Sequence, residues 1–210
     1  MVGAPSRTRR RELTFSADEK RDLAVAWIAL SVAFAIFIFL HMASGAAGIA
    51  QVVALSMITV GVSFVLHELG HKVAAVRFGQ VAEFRADYGM LFLAIMSAII
   101  GFIFAAPGAV HHRGRITLGE NGLIALAGPA VNLGLAAVFL PLVFVPVAFV
   151  EQVGRFGVFI NVFLATFNMV PFGPLDGKTV YNWSKAVFAL VFFPCLALIY
   201  FVYTRIGIGI

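Results

Sequence analysis

Between Asp22 and Glu68 the chain carries no Asp, Glu, Lys or Arg. A helix on the surface of a soluble domain keeps charged or polar residues on its outer face, and a stretch this long without charge leaves no such face. It breaks naturally at Ser44–Gly48, giving apolar segments near 24–43 and 49–70. Further charge-free runs cover 88–110, 121–150, 156–175 and 186–204. A helix needs about 20 apolar residues to cross a bilayer, and each run meets or approaches that length. Composition agrees: 61% of the 210 residues are hydrophobic and 12% are charged, where a soluble domain has about a quarter charged. A chain of this size cannot bury so much apolar surface in a water-soluble core. Soluble globular and disordered classes are therefore excluded. A single cysteine, Cys195, excludes an internal disulfide scaffold. The reading is an all-α polytopic membrane protein with the lipid bilayer as its solvent.

Residues 1–22 form a basic N-terminal tail carrying Arg7, Arg9, Arg10, Arg11, Lys20 and Arg21. The apolar run that follows is too long for a secretory signal core. The tail is expected to fix topology on the cytosolic side, with no nucleic acid as a partner. Ser16 with Glu19 three residues on reads as a capping box opening the first helix. The remainder, 23–210, reads as one membrane-embedded domain.

Chemistry enters at His67-Glu68-Leu69-Gly70-His71. Four residues make about one helical turn, so both imidazoles stand on one face. Two nitrogens so placed suit one Zn²⁺. Glu68 is rotated away from that pair. It is free to take a proton from a water activated by the metal. Within a membrane helix such residues are costly unless paired or metal-bound. His41 is expected at the outer interface, and His111 with His112 in a polar loop.

A tetrahedral site needs a third protein ligand. Among the acids beyond the tail, only Asp176 is framed by two prolines and two glycines, in Pro171-Phe172-Gly173-Pro174-Leu175-Asp176-Gly177. That string must interrupt a helix, and irregular backbone at membrane depth is tolerated where it lines a cavity. The segment reads either as a recessed metal ligand or as an ordinary interfacial turn. A third feature is Gly128-Pro129-Ala130-Val131-Asn132, where small residues permit close helix approach. The Asn132 amide would bond either another helix or the substrate.

The ordered triple His-Glu-Leu-Gly-His, Gly-Pro-Ala-Val-Asn and Asn-x-x-Pro-x-x-x-Leu-Asp-Gly resembles the site-2 protease family of intramembrane zinc metalloproteases, across about residues 49–185. The resemblance implies one Zn²⁺ per chain held by His67, His71 and Asp176, with Glu68 as general base. It implies that Asn168 holds substrate or stabilises the oxyanion, and that Gly128, Pro129 and Asn132 stand beside the active site. It also implies a membrane-spanning protein substrate and a prokaryotic cell membrane.

Topology tests this reading. With the basic tail inside, two spans bring His67 and His71 toward the inner end. If 88–110 crosses fully, Asp176 emerges outside and cannot meet them. If 88–110 dips in and returns, Asp176 arrives inside, and only Arg155 and Arg205 among the later basic residues lie outside. Five crossings plus a re-entrant hairpin at 88–110 are therefore expected. The N-terminus and active site then face the cytosol. The hairpin is expected to gate the site or to fill space. A short strand near 80–85 is expected to pair an unwound substrate by strand addition. The rival readings are a metal ion or proton transporter, since intramembrane His, Glu and Asp also line ion paths, and an inactive relative acting as a binding protein.

Overall fold

The computed structural model describes residues 12–42, 48–103 and 107–208. Arg7, Arg9, Arg10 and Arg11 and most of the break at Ser44–Gly48 lie outside the described residues. Helix α1 (Ala17–His41) starts ahead of the first charge-free run, with Ser16 as its cap. The Ser16 hydroxyl accepts from the Glu19 amide at 3.1 Å. The reciprocal half of the expected box does not form, because the Glu19 carboxylate is drawn to Lys72 and to the Phe84 amide. A complete capping box, between Thr117 and Glu120, opens the later helix Leu118–Phe139 instead.

The second apolar segment runs as α2 (Ile49–Ser56), a π-helical turn (Met57–Gly61) and α3 (Val62–Arg77). The Trp27 indole of α1 donates to the Met57 carbonyl in that turn, at 3.1 Å. There follow strand β1 (Val81–Ala86), helix α4 (Tyr88–Ile99), strand β2 (Gly108–Arg113) and α5 (Leu118–Phe139). Helices α6 (Ala148–Asn168), α7 (Asp176–Trp183) and α8 (Lys185–Phe201) complete the chain. Among the described residues, five helical segments are long and apolar enough to cross a membrane: Ala17–His41, Ile49–Arg77, Leu118–Phe144, Ala148–Asn168 and Lys185–Ile206. The fold is the expected polytopic helical membrane protein with a two-stranded sheet added.

The register of that sheet answers the question posed by 88–110. β1 and β2 are antiparallel, with Ala86 opposite Gly108 and Val81 opposite Arg113. The chain therefore leaves the end of β1, runs through α4 and returns to the same point. At 12 residues α4 is about 18 Å long, which is short of a full hydrocarbon crossing. The segment doubles back on itself, and Arg85 and Arg113 lie in the same two-stranded sheet.

Two expectations change here. His111 and His112 lie in β2 rather than in a loop. β1 is also unavailable for strand addition. One of its edges pairs with β2. On the other edge the Phe84 amide donates to Glu19 at 3.0 Å and the Ala86 amide donates to Asp22 at 3.3 Å.

The core gathers inward faces of α1, α3, α4, α5 and α6. On α1 these include Leu23, Ala26, Leu30 and Ala33, spaced for one helical face. α8 stands at the periphery, with only Phe188 and Cys195 buried. Most of its apolar surface faces outward, as a lipid-exposed helix requires.

Candidate metal centre

α3 places His67 and His71 one turn apart, their Nε2 atoms 3.0 Å from each other. Asp176, the first residue of α7, brings Oδ2 to 3.4 Å from His67 Nε2 and 3.3 Å from His71 Nε2. α6 must end and α7 must begin within a few residues for this to happen, and the prolines and glycines of 171–177 produce that break. Gly177 permits the close approach. A Cβ there would stand 2.0 Å from the Met169 carbonyl oxygen. Both histidines are buried and Asp176 is half-buried.

The donor set fits a metal ion on three counts. Each histidine spends Nδ1 elsewhere: His67 on Asn132 Oδ1 at 2.6 Å, His71 on the Ile124 carbonyl at 2.8 Å. A carbonyl oxygen only accepts, so each Nδ1 carries the proton and each Nε2 presents a bare lone pair. Two such lone pairs facing each other repel unless a cation lies between them. Asp176 Oδ2 is buried without a hydrogen-bond partner among the described residues. Ligand atoms sharing a tetrahedral zinc at about 2.0–2.1 Å stand about 3.3 Å apart, close to the separations found.

α5 supplies the support. Gly128 faces both rings, and a Cβ there would sit 2.4 Å from His71 Nε2 and 2.6 Å from His67 Nε2. Only glycine leaves the space. Pro129 is buried beside it within the helix. A proline has no N–H for the Ala125 carbonyl four residues back, next to the Ile124 carbonyl that receives His71. Asn132 is fully buried. It bonds both His67 and Asn161 of another helix.

Glu68 is buried, its Oε2 without a partner, and the Val110 amide of β2 faces its carboxylate. It opens, with the two histidines and Asp176, onto a cavity of about 610 Å³ whose apolar walls include Phe34, Phe64, Phe159 and Phe163. Asn168 lies on the cavity wall, its Nδ2 donating to the Leu164 carbonyl at 3.0 Å. No hydrogen bond joins it to His67, His71 or Asp176 among the described residues.

Sequence reasoning missed two residues. Asn161 is fully buried and its Oδ1 accepts from Asn132 Nδ2 at 3.0 Å. Its signal was present: an amide within the charge-free run 156–175. His112 lines the cavity from β2. It was legible only to a reading that found the second strand.

No family model matches the chain, and no solved structure matches it. Three curated relatives carry the name "Putative zinc metalloprotease". MJ0611 of Methanocaldococcus jannaschii is 40% identical over 178 residues, covering 83% of this chain and 86% of that protein. Rip2 of Mycobacterium tuberculosis is 34% identical over 133 residues, 55% of this chain and 51% of that protein. YwhC of Bacillus subtilis is 32% identical over 146 residues, 59% of this chain and 66% of that protein.

Proposed function

Because the chain belongs to the site-2 protease family of zinc metalloproteases, we propose that it hydrolyses peptide bonds in membrane-spanning protein substrates at the centre formed by His67, Glu68, His71 and Asp176. The observation that carries this reading is the juxtaposition of a three-ligand cluster with an unpartnered buried carboxylate, Glu68, on one apolar cavity.

His67, His71 and Asp176 would hold the zinc, which when bound would supply a Lewis acid to acidify water and polarise the scissile carbonyl. Glu68 acts as general base, taking the proton from the attacking water at its free Oε2 and returning it to the leaving amine. Asn132 keeps His67 in its ligating tautomer, and Gly128 leaves room for both rings. Asn168 uses one amide N–H on Leu164 and offers the other to a substrate carbonyl as charge develops on it. A helical substrate must unwind, since its carbonyls are already hydrogen-bonded. β2 brings Ala109, Val110 and His112 to the cavity wall beside Glu68, whereas β1 has no free edge.

The active site faces the cytosol in this reading. His71 is followed by Lys72 and Arg77 at the same end as Arg85 and Arg113, and the positive-inside rule places that end inward. Against the transporter reading, the described residues hold one cluster of potential metal ligands, not a series along a path.

The test uses the protein in liposomes with a single-pass substrate. Cleavage that stops on chelation and returns with zinc supports the proposal. Zinc flux without cleavage would make the chain a transporter. Zinc binding with neither would make it an inactive relative.

A further inference from the structure

The histidines are oriented by different means. His71 Nδ1 donates straight to a backbone carbonyl, that of Ile124, which cannot turn round. His67 Nδ1 donates to a side-chain amide, Asn132. A primary amide offers a carbonyl at one end and an NH₂ at the other, and either could face the ring. Something must hold Asn132 with its oxygen toward His67.

Asn161 of α6 does so. Its Nδ2 donates to the Gly157 carbonyl at 2.8 Å, one turn back in the same helix. That fixes its Oδ1 toward Asn132, whose Nδ2 donates to it at 3.0 Å, with a longer contact to the Ser63 carbonyl at 3.4 Å. The donors run one way: His67 to Asn132, Asn132 to Asn161, Asn161 to Gly157. The chain ends on a helix carbonyl, so its direction cannot reverse without setting Asn161 Oδ1 against the Gly157 carbonyl oxygen, two acceptors with no proton between them. Both amides are fully buried. Helix adhesion alone does not require the pair. α5 and α6 already interlock at Gly157, where a Cβ would stand 2.4 Å from the Phe139 ring.

We propose that Asn161 is a positioning residue for the metal centre: by fixing the amide of Asn132 it presents His67 Nε2, rather than Nε2–H, to the zinc. The proposal rests on the reading that His67 is a zinc ligand. Loss of outer partners of this kind weakens metal binding by about 10–100-fold.

The test is zinc affinity of the whole chain in detergent, by competition with a chromophoric chelator, beside thermal unfolding of the zinc-free protein. Asn161→Leu removes the acceptor and is expected to weaken zinc binding at least tenfold. Asn161→Asp keeps an acceptor for Asn132 and is expected to stay closer to wild type. Because Asn161 acts only through Asn132, the double variant Asn132→Leu with Asn161→Leu should bind zinc no more weakly than Asn132→Leu alone. Lower unfolding temperature with unchanged zinc affinity in Asn161→Leu would overturn the proposal and leave Asn161 as interhelical packing. So would additive losses in the double variant. Should Asn161→Leu fail to fold, Asn161→Ala, which also removes the acceptor, takes its place in the single and the double variant. Failure of the underlying reading looks different: wild type then takes up no stoichiometric zinc, or His67→Ala binds it undiminished.

Discussion

His71 and Lys72 are neighbours on α3 and both are buried, yet they belong to two polar clusters with opposite character. Lys72 donates to the Thr14 carbonyl at 2.6 Å and to the Glu19 carboxylate, and it lies 4.0 Å over the Phe15 ring. Glu19 spends its other oxygen on the Phe84 amide, and Asp22 takes the Ala86 amide and the Tyr88 hydroxyl. Each of these carboxylates finds donors within the protein. In the cluster around His71, Glu68 Oε2 and Asp176 Oδ2 have no hydrogen-bond partner among the described residues, and two imidazole lone pairs face each other. Both clusters incur the cost of burying charge. The first recovers it internally and braces α1, α3 and β1. The second recovers it only from something outside the chain. Unspent bonding capacity, rather than burial, separates a site from a strut.

That contrast breaks most sharply at a ligand. Asp176→Asn is expected to reduce hydrolysis to background and weaken zinc binding by orders of magnitude, with little loss of folded protein, as read by metal analysis and a cleavage assay. Gly128→Ala should come next. Its methyl enters the space of both Nε2 atoms, so zinc content and cleavage should fall together while the α3–α5 pair remains helical by circular dichroism. On the brace the order reverses. Lys72→Met leaves Glu19 buried and unpaired, at a cost of about 3–5 kcal/mol, and should lower the unfolding temperature strongly. Zinc per folded chain should hold. Replacing Glu19 by Leu as well should restore part of the stability, since the orphaned charge is then gone.

The smallest effect concerns Glu83, whose carboxyl is held below the ordinary carboxylate range first by the Ser16 hydroxyl and then by Arg85. A carboxylate with a lowered value in the folded state contributes stability above its ordinary pKa. That contribution is lost as pH falls through the folded value. Ser16→Ala removes both this bond and the α1 cap. The stability gap between variant and wild type should therefore be larger near neutral pH and should shrink in acid to the cap contribution of about 1 kcal/mol, by thermal unfolding across pH.

The sequence made the spans legible because charge is expensive in lipid and its absence marks them. His67, Glu68 and His71 were legible because their spacing is one helical turn, and Asp176 because prolines and glycines break helices wherever they cluster. The re-entrant path of 88–110 followed from requiring that ligands meet. Other features had no local signal. β2 ends in His111-His112-Arg113, which reads as a polar loop until β1 supplies its partner. Glu19 and Lys72 look like topology-setting charges at helix ends. Their pairing depends on the packing of α1 against α3, which no periodicity announces. Asn161 carries the same amide as Asn132 but no motif, so its role emerged only from the direction of its hydrogen bonds.

If the cluster is a hydrolytic zinc centre with Glu68 as its base, zinc content and cleavage of a single-pass substrate part company in one preparation of Glu68→Gln. One zinc per chain, as in the wild type, is expected, with hydrolysis reduced by at least about 10²-fold. Cleavage at the wild-type rate, or loss of the zinc itself, would show that Glu68 is not that base.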